Sequence, residues 1–130
     1  MTPIVLDASA ALAVLFREAG ADEFDRDPRL MDRAVMSAVN VAEVQTKLVV
    51  KGVDAERAWS MATQPIREVV DFNGIQAKIA GSLIAETRSR GLSLADRACL
   101  ALGITLKAAV YTADRQWKGL RVGVPIHLIR

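Results

Sequence analysis

Short apolar runs that each give way at once to a helical pattern recur along the whole chain, and this alternation narrows the fold more than any other feature. "IVL" at residues 4–6 passes directly into "ASAALAVLFRE", a segment rich in Ala and Leu. "AVMS" at residues 34–37 precedes "AVNVAEVQTKLVVKG", with Ser37 placed to cap that helix and Gly52 to end it. "DAERAWSMATQ" opens on an Asp cap, Pro65 closes it, and "IREVVDF" supplies a third strand with β-branched residues. "NGIQAKIAGSLIAETRSRG" puts Ile75, Ile79, Ala80, Leu83 and Ile84 on one helical face and stops at Gly91. "SLADRACLALGITLK" is apolar nearly all round, as a buried helix is, and "AAVYT", a turn or short helix in "ADRQWKG" and "PIHLI" complete the series. Strands alternating with helices at these lengths predict an α/β fold with a mostly parallel sheet covered on both faces.

The 130 residues fit one compact domain, and with no repeat, low-complexity tract or linker the expected unit spans residues 1–130. Aromatic residues make up 5% of the chain, so the core must be built from Ala, Val, Leu and Ile. The single cysteine, Cys99 in "RACLALG", excludes an internal disulfide, offers no zinc pattern and reads as a small buried filler. No basic region precedes the first apolar run, Asp7 interrupts that run, and no stretch approaches the roughly 18 apolar residues of a membrane span. The expected location is cytoplasmic, with no membrane partner.

The net charge is +2, but it is unevenly placed. Residues 1–65 carry seven Lys/Arg against ten Asp/Glu, whereas residues 66–130 carry ten against five. A basic second half with Arg88, Arg90, Arg97, Arg115, Lys118 and Arg121 suits phosphates, although a solvated surface accounts for charge alone.

Four carboxylates fall in related places. In open parallel sheets, ligands bind beyond the carboxyl ends of the strands, where the strand order reverses. Asp7 follows "IVL", Asp114 follows "VYT" by one residue, Glu43 lies in the first turns of the helix after the second strand, and Asp96 opens the buried helix. Local readings stand beside a shared one. Asp7 occupies an N-cap position, Asp114 can close an Asx turn, and Asp96 completes a Ser-x-x-Asp start resembling a capping box. Asn40, Glu43 and Lys47 form a polar stripe that an exposed helix face also explains. Carboxylates within about 5 Å would repel by roughly 3 kcal/mol per pair at an effective dielectric near 20, so a cluster of them implies a cation. Oxygen-only donors favour Mg²⁺ or Mn²⁺ over zinc, and such ions suit phosphodiester chemistry.

"IVLDASAALAVLF", "SAVNVAEV", "GLSLADRACLALG" and "VYTADRQW", in this order, resemble the PIN-domain ribonucleases, specifically the VapC-type toxins of bacterial toxin–antitoxin pairs. The similarity covers almost the whole chain, and "LSLADR" leading into a buried helix is its most specific part. The resemblance implies a three-layer α/β/α sandwich around a five-stranded parallel sheet. It matches Asp7, Glu43, Asp96 and Asp114 to the family's acidic quartet, Ser9 and Asn40 to polar companions near the metal, and Thr112 to the hydroxyl before the last acid. It further implies Mg²⁺- or Mn²⁺-dependent endoribonuclease activity on structured RNA such as tRNA or rRNA, leaving a 5′-phosphate and a 3′-hydroxyl. Toxin homodimers and a hetero-oligomer with a cognate antitoxin, whose tail enters the active-site groove, are implied as well. Gly103 departs from the pattern, standing where such helices more often carry Ala, and is expected to loosen its helix by up to about 1 kcal/mol.

In this scheme Asp7 and Asp96 hold the metal directly, Asp114 completes the site directly or through water, and Glu43 binds a second metal or orients the attacking water. Arg88, Arg90 and Arg115 are assigned to the RNA backbone. Rival readings are a catalytically inactive PIN-like binding module, a phosphoacceptor receiver domain and a metal-dependent phosphatase. The receiver needs paired early acids and a late Lys, which "DAS" and "PIHLIR" lack, and the phosphatase needs Asp-x-Asp where "DAS" stands. Trp59 reads as a packing or dimer contact, Trp117 as packing or as lining for the RNA groove, His127 as a partly buried strand residue, and "ADEFDRDPRLMD" as a solvated helix end and loop.

Overall fold

The computed structural model describes residues 2–130. Among the described residues five strands form one sheet: β1 (Ile4–Leu6), β2 (Ala34–Ser37), β3 (Glu68–Val70), β4 (Val110–Thr112) and β5 (Ile126–Leu128). Their order is β3-β2-β1-β4-β5 and every pairing is parallel, with Val5 opposite both Val35 and Val110. The chain runs outward through α1 (Ala8–Phe16), α2 (Asp22–Arg26) and α3 (Arg29–Arg33) to β2, then through α4 (Ala38–Val50) and α5 (Ala55–Thr63) to β3. It returns through α6 (Gly74–Ser82), α7 (Ile84–Thr87) and α8 (Leu94–Leu106) to β4, on the far side of β1. The strand order therefore reverses between β1 and β4, which opens the ligand-binding crevice at their carboxyl ends.

Alternation along the strands feeds two cores. Ile4, Leu6, Ala34 and Met36 pack with Ala10 and Ala13 of α1, Val41, Val44 and Leu48 of α4, and Ala58 and Ala62 of α5. Val5, Val35 and Val110 point the other way, onto Cys99, Leu100 and Leu102 of α8, Leu83 and Trp117. Sheet between two helical layers gives the α/β/α sandwich expected from the sequence, and both faces of the three inner strands are buried.

Four local expectations are corrected. The long helix predicted after Asn73 breaks at Leu83 into α6 and α7, and a short 3₁₀ turn (Arg88–Arg90) follows before Gly91, at φ +67°. Its buried face consists of Gln76, Ala80, Leu83 and Thr87, while Ile75 is 71% exposed, so the buried stripe lies about one position out of phase with the apolar pattern of the sequence. Gln76 takes the inward position instead, where its Nε2 donates to the carbonyl of Asp71 at 3.2 Å. The acidic segment at residues 21–32 forms α2 and most of α3, which bury Phe24 and Leu30. Gly103 is a contact point, not a weak spot: a Cβ there would lie 2.5 Å from Cγ2 of Val110, so glycine is what lets α8 sit against β4.

Candidate active site

Asp7 ends β1 and starts α1, and both duties fall on one side chain. Its Oδ1 accepts from the backbone N–H of Ala10 at 2.8 Å, capping α1. Ser9 Oγ lies 2.7 Å from Oδ1 and 2.9 Å from Oδ2, and Thr112 Oγ1 donates to Oδ2 at 2.5 Å. These bonds offset part of the cost of a carboxylate that is only 3% exposed. The rest is visible in its titration: burial pushes the Asp7 carboxyl up to about 6, against the pull of the three donors, and the negative charge of Asp96 adds to the rise.

Thr112 and Ser9 also fix the end of β4. The N–H of Asp114 donates to Thr112 Oγ1 at 3.0 Å, and the N–H of Ala113 donates to Ser9 Oγ at 2.9 Å. Asp114 is half-buried, and its Oδ1 accepts from the N–H of Gln116 at 2.9 Å to start the 3₁₀ turn Arg115–Trp117. Asp7 and Asp114 are thus linked through one hydroxyl across the seam where the strand order reverses.

The other two acids come from helices. Asp96 belongs to a full capping box: its N–H donates to Ser93 Oγ at 3.1 Å, and its Oδ2 accepts from the N–H of Ser93 at 2.9 Å. Glu43 is half-buried on α4, and its Oε1 accepts from Nδ2 of Asn40 at 3.0 Å. The same Nδ2 donates to the carbonyl of Ala95 at 2.9 Å, so Asn40 ties Glu43 to the first turn of α8, beside Asp96. Asn40 is 1% exposed, which removes it from the exposed stripe on which the sequence placed it. Cys99 lies in the second core, within reach of the charges of three of the acids. Its thiol is raised well above the usual range, first by burial and then by the charges of Asp7, Asp96 and Glu43.

Among the described residues, no group of three or more His, Cys, Asp or Glu side chains converges closely enough to hold a metal ion as they stand. The donor chemistry nonetheless fits a hard divalent cation. The acids offer oxygen only, Asp7 and Asp96 repel each other, and Oδ1 of Asn40 is a buried oxygen with no hydrogen-bond partner. Asp7, Asp96, Glu43 and Asp114 are the residues that would hold it, with the Asp114 backbone fixed by Thr112.

The remaining assignments fare differently. Arg90 spends its Nη1 on the carbonyls of Gln116 and Lys118, and Arg115 on the carbonyl of Arg130, while Arg88 is exposed on the 3₁₀ turn. Trp117 is fully buried in the second core and lines no groove. Trp59 is 47% exposed on α5. His127 is exposed on β5, where Nε2 pairs with Glu23 and the ring lies 4.5 Å from that of Tyr111. Lys51 and Arg130 line an open cleft with Ser9 and Lys47; the sequence marks Ser9 and, through the stripe it shares with Glu43, Lys47, but carries no signal for Lys51 or Arg130.

The sequence profile of the PIN domain matches residues 4–122. The chain belongs to the PIN-domain family. Solved structures agree on the fold of this PIN domain. DNA-bound VapBC from Salmonella typhimurium is 17% identical over 100% of both chains, with a TM-score of 0.74. VapC20 of Mycobacterium tuberculosis, described as a sarcin–ricin loop cleaving toxin, is 17% identical over 94% of this chain and 98% of its own, with a TM-score of 0.71. FitAcB from Neisseria gonorrhoeae is 16% identical over 97% of each chain, with a TM-score of 0.68. At these identities the likeness concerns the fold. No curated protein matches the sequence. Among the described residues of the PIN domain, no helix is long and apolar enough to cross a membrane.

Proposed function

We propose that this PIN domain is a Mg²⁺- or Mn²⁺-dependent endoribonuclease toxin, acting as one unit over residues 1–130 on structured RNA such as tRNA or rRNA. The observation that carries the reading is the buried Asp7 carboxylate at the point of strand reversal, held by Ser9, Thr112 and the Ala10 N–H, with Thr112 also gripping the N–H of Asp114 and Asn40 tying Glu43 to the first turn of α8, where Asp96 lies. A binding module has no need of a desolvated carboxylate with a second acid beside it. Hydrolysis of a phosphodiester does, because charge builds on phosphoryl oxygens and must meet a cation.

A bound divalent ion supplies Lewis acidity, neutralising nonbridging oxygens and making water more acidic. The chain's own residues do the rest. Ser9, Thr112 and the Ala10 N–H hold the Asp7 carboxylate fixed, and Ser93 fixes that of Asp96. Asn40 engages Oε1 of Glu43 and leaves Oε2 to take a proton from the attacking water. The water oxygen bonds to phosphorus, the bond from phosphorus to O3′ breaks, and O3′ takes up a proton from solvent while Glu43 later releases the one it accepted, giving a 5′-phosphate and a 3′-hydroxyl.

Similar structures are toxin–antitoxin assemblies, which supports a cognate antitoxin as partner; a homodimeric toxin within a hetero-oligomer, acting in the cytoplasm, completes the proposed reading. The test is Asp96→Asn, which keeps shape and cap but removes the charge. Cleavage of tRNA and rRNA by purified protein with Mg²⁺ or Mn²⁺, and none in EDTA, is expected to fall by orders of magnitude in the variant. Equal cleavage by parent and variant, or none by the parent with either metal, sinks the reading and leaves the inactive binding module.

A further inference from the structure

A cleft of about 520 Å³ opens on the α1–α4 side of the acids, lined by Ser9, Leu12, Phe16, Glu18, Lys47, Lys51 and Arg130. We propose that this cleft is the subsite for the RNA strand flanking the scissile phosphate, with Lys47 and Lys51 as its phosphate-binding residues. The inference rests on the ribonuclease reading and names where that enzyme would grip its substrate.

Continuity with the reactive centre comes first. Ser9 is the wall shared by both, since its hydroxyl holds the Asp7 carboxylate and its side chain lines the cleft. Spacing along α4 comes second. Glu43, Lys47 and Lys51 succeed one another every four residues, so they lie on one side of the helix, about 6 Å apart along its axis. The acid nearest the chemistry is followed by two cations leading away from it, an arrangement that tracks a backbone of regularly spaced phosphates.

Free charge comes third. Glu43 turns its Oε1 to Asn40, and among the described residues neither Lys47 nor Lys51 makes a salt bridge. Arg130 does, with Glu18 at 3.9 Å, so the Glu18 side chain on the cleft wall is turned to the third cation. The ammonium of Lys51 stands 5.2 Å from the ring centroid of Phe16, which holds it over the cleft floor without neutralising it. Phe16, 38% exposed, and Leu12 give that floor an apolar surface for a base or ribose. Of the cations assigned to RNA by resemblance, Arg90 and Arg115 keep their charge but have an Nη1 held by the carbonyls of Gln116, Lys118 and Arg130, and neither lines the cleft.

The experiment measures binding apart from cleavage. A fluorescein-labelled, mixed-sequence single-stranded oligoribonucleotide is titrated with the Asp96→Asn protein in EDTA at several salt concentrations, and anisotropy is read. Lys47→Gln/Lys51→Gln is expected to weaken binding for every sequence and to lower the slope of log affinity against log salt by about 1.4 for two lost phosphate contacts. A charge-matched control, Arg57→Gln/Lys78→Gln, at exposed positions outside the cleft, is expected to leave the slope unchanged. Equal slopes for the two double variants overturn the subsite. So does a polyglutamate peptide that binds through these lysines when RNA does not, which would make the cleft a seat for an acidic protein segment. The two readings fail separately: RNA cleavage indifferent to both lysines removes the subsite alone, whereas lysine-dependent binding without cleavage removes the nuclease alone.

Discussion

Thr112 donates its hydroxyl proton to Asp7 at 2.5 Å across 105 residues of sequence, and the same oxygen accepts the N–H of Asp114. One side chain therefore bridges the segments that follow β1 and β4, holding the carboxylate of Asp7 and the backbone N–H of Asp114. The hydrogen bond is charge-assisted and buried, the class that contributes about 1.5–3 kcal/mol. Thr112→Val keeps the shape and removes donor and acceptor together. Urea denaturation at pH 7.5 is expected to show a loss in that range, and the Asp7 carboxyl, followed by carbon-detected NMR, to titrate higher than in the parent. Thr112→Ser should restore most of both. A valine variant as stable as the parent would show that the hydroxyl holds nothing.

The raised carboxyl of Asp7 makes a directional statement about pH. Its folded-state value, about 6, lies above the ordinary 3.8, so the folded protein binds more protons than the unfolded chain between those values. Stability is therefore expected to fall as pH rises from 4 to 6, and the loss, roughly 3 kcal/mol when complete, persists above that range. Asp7→Asn cannot ionise. Denaturation of the metal-free protein in EDTA should show the variant gaining on the parent as pH rises, with the difference levelling off above about pH 7. A difference that stays flat from pH 4 to 7.5 would mean that Asp7 titrates as an ordinary surface acid.

The strand and helix sequence was legible because its signals are local. Every strand residue from Ile4 to Leu6 is apolar, Ser37 and Ser93 cap the helices they precede, and Gly52 and Gly91 end theirs with positive φ. The acids were legible too, since strand ends and first helical turns are fixed by the same local signals. What depended on packing was not. Gln76 takes the inward position in place of Ile75, bonded to the carbonyl of Asp71, Trp117 is swallowed by the second core, and Asn40 looks exposed until α8 is laid over it. The cleft beside Ser9 joins residues from α1, α4 and the C-terminal end, a set that no periodicity brings together.

Asp96 serves its helix and the site with the same oxygens, which separates two effects that mutation usually mixes. Ser93→Ala removes the hydroxyl that accepts the Asp96 N–H and is expected to cost about 1 kcal/mol by thermal denaturation. The Asp96 carboxylate remains bonded to the Ser93 N–H, so its charge stays in place. RNA cleavage per folded molecule should then fall far less than in Asp96→Asn. If the two variants lose cleavage equally, Asp96 matters for the geometry of α8 and its charge is dispensable.

Gly103 and Gly81 give opposite expectations for the same change. Both sit in helices, where Gly→Ala alone is worth about 1 kcal/mol in favour of Ala. At Gly81 a Cβ meets nothing within 4 Å, so Gly81→Ala is expected to raise stability by about 0.5–1 kcal/mol. At Gly103 the Cβ would stand 2.5 Å from Cγ2 of Val110 and 3.3 Å from the carbonyl oxygen of Ala108. Val110 is fully buried between β1 and β5 and has nowhere to move, and overpacking of this kind costs about 1–3 kcal/mol. Gly103→Ala is thus expected to lower stability despite its better helix propensity. Val110→Ala should relieve the clash, so the double variant is predicted to be more stable than the sum of the two single changes. Strictly additive losses in that cycle would show that α8 shifts away from the sheet on its own, and that glycine at this position is not what sets the spacing.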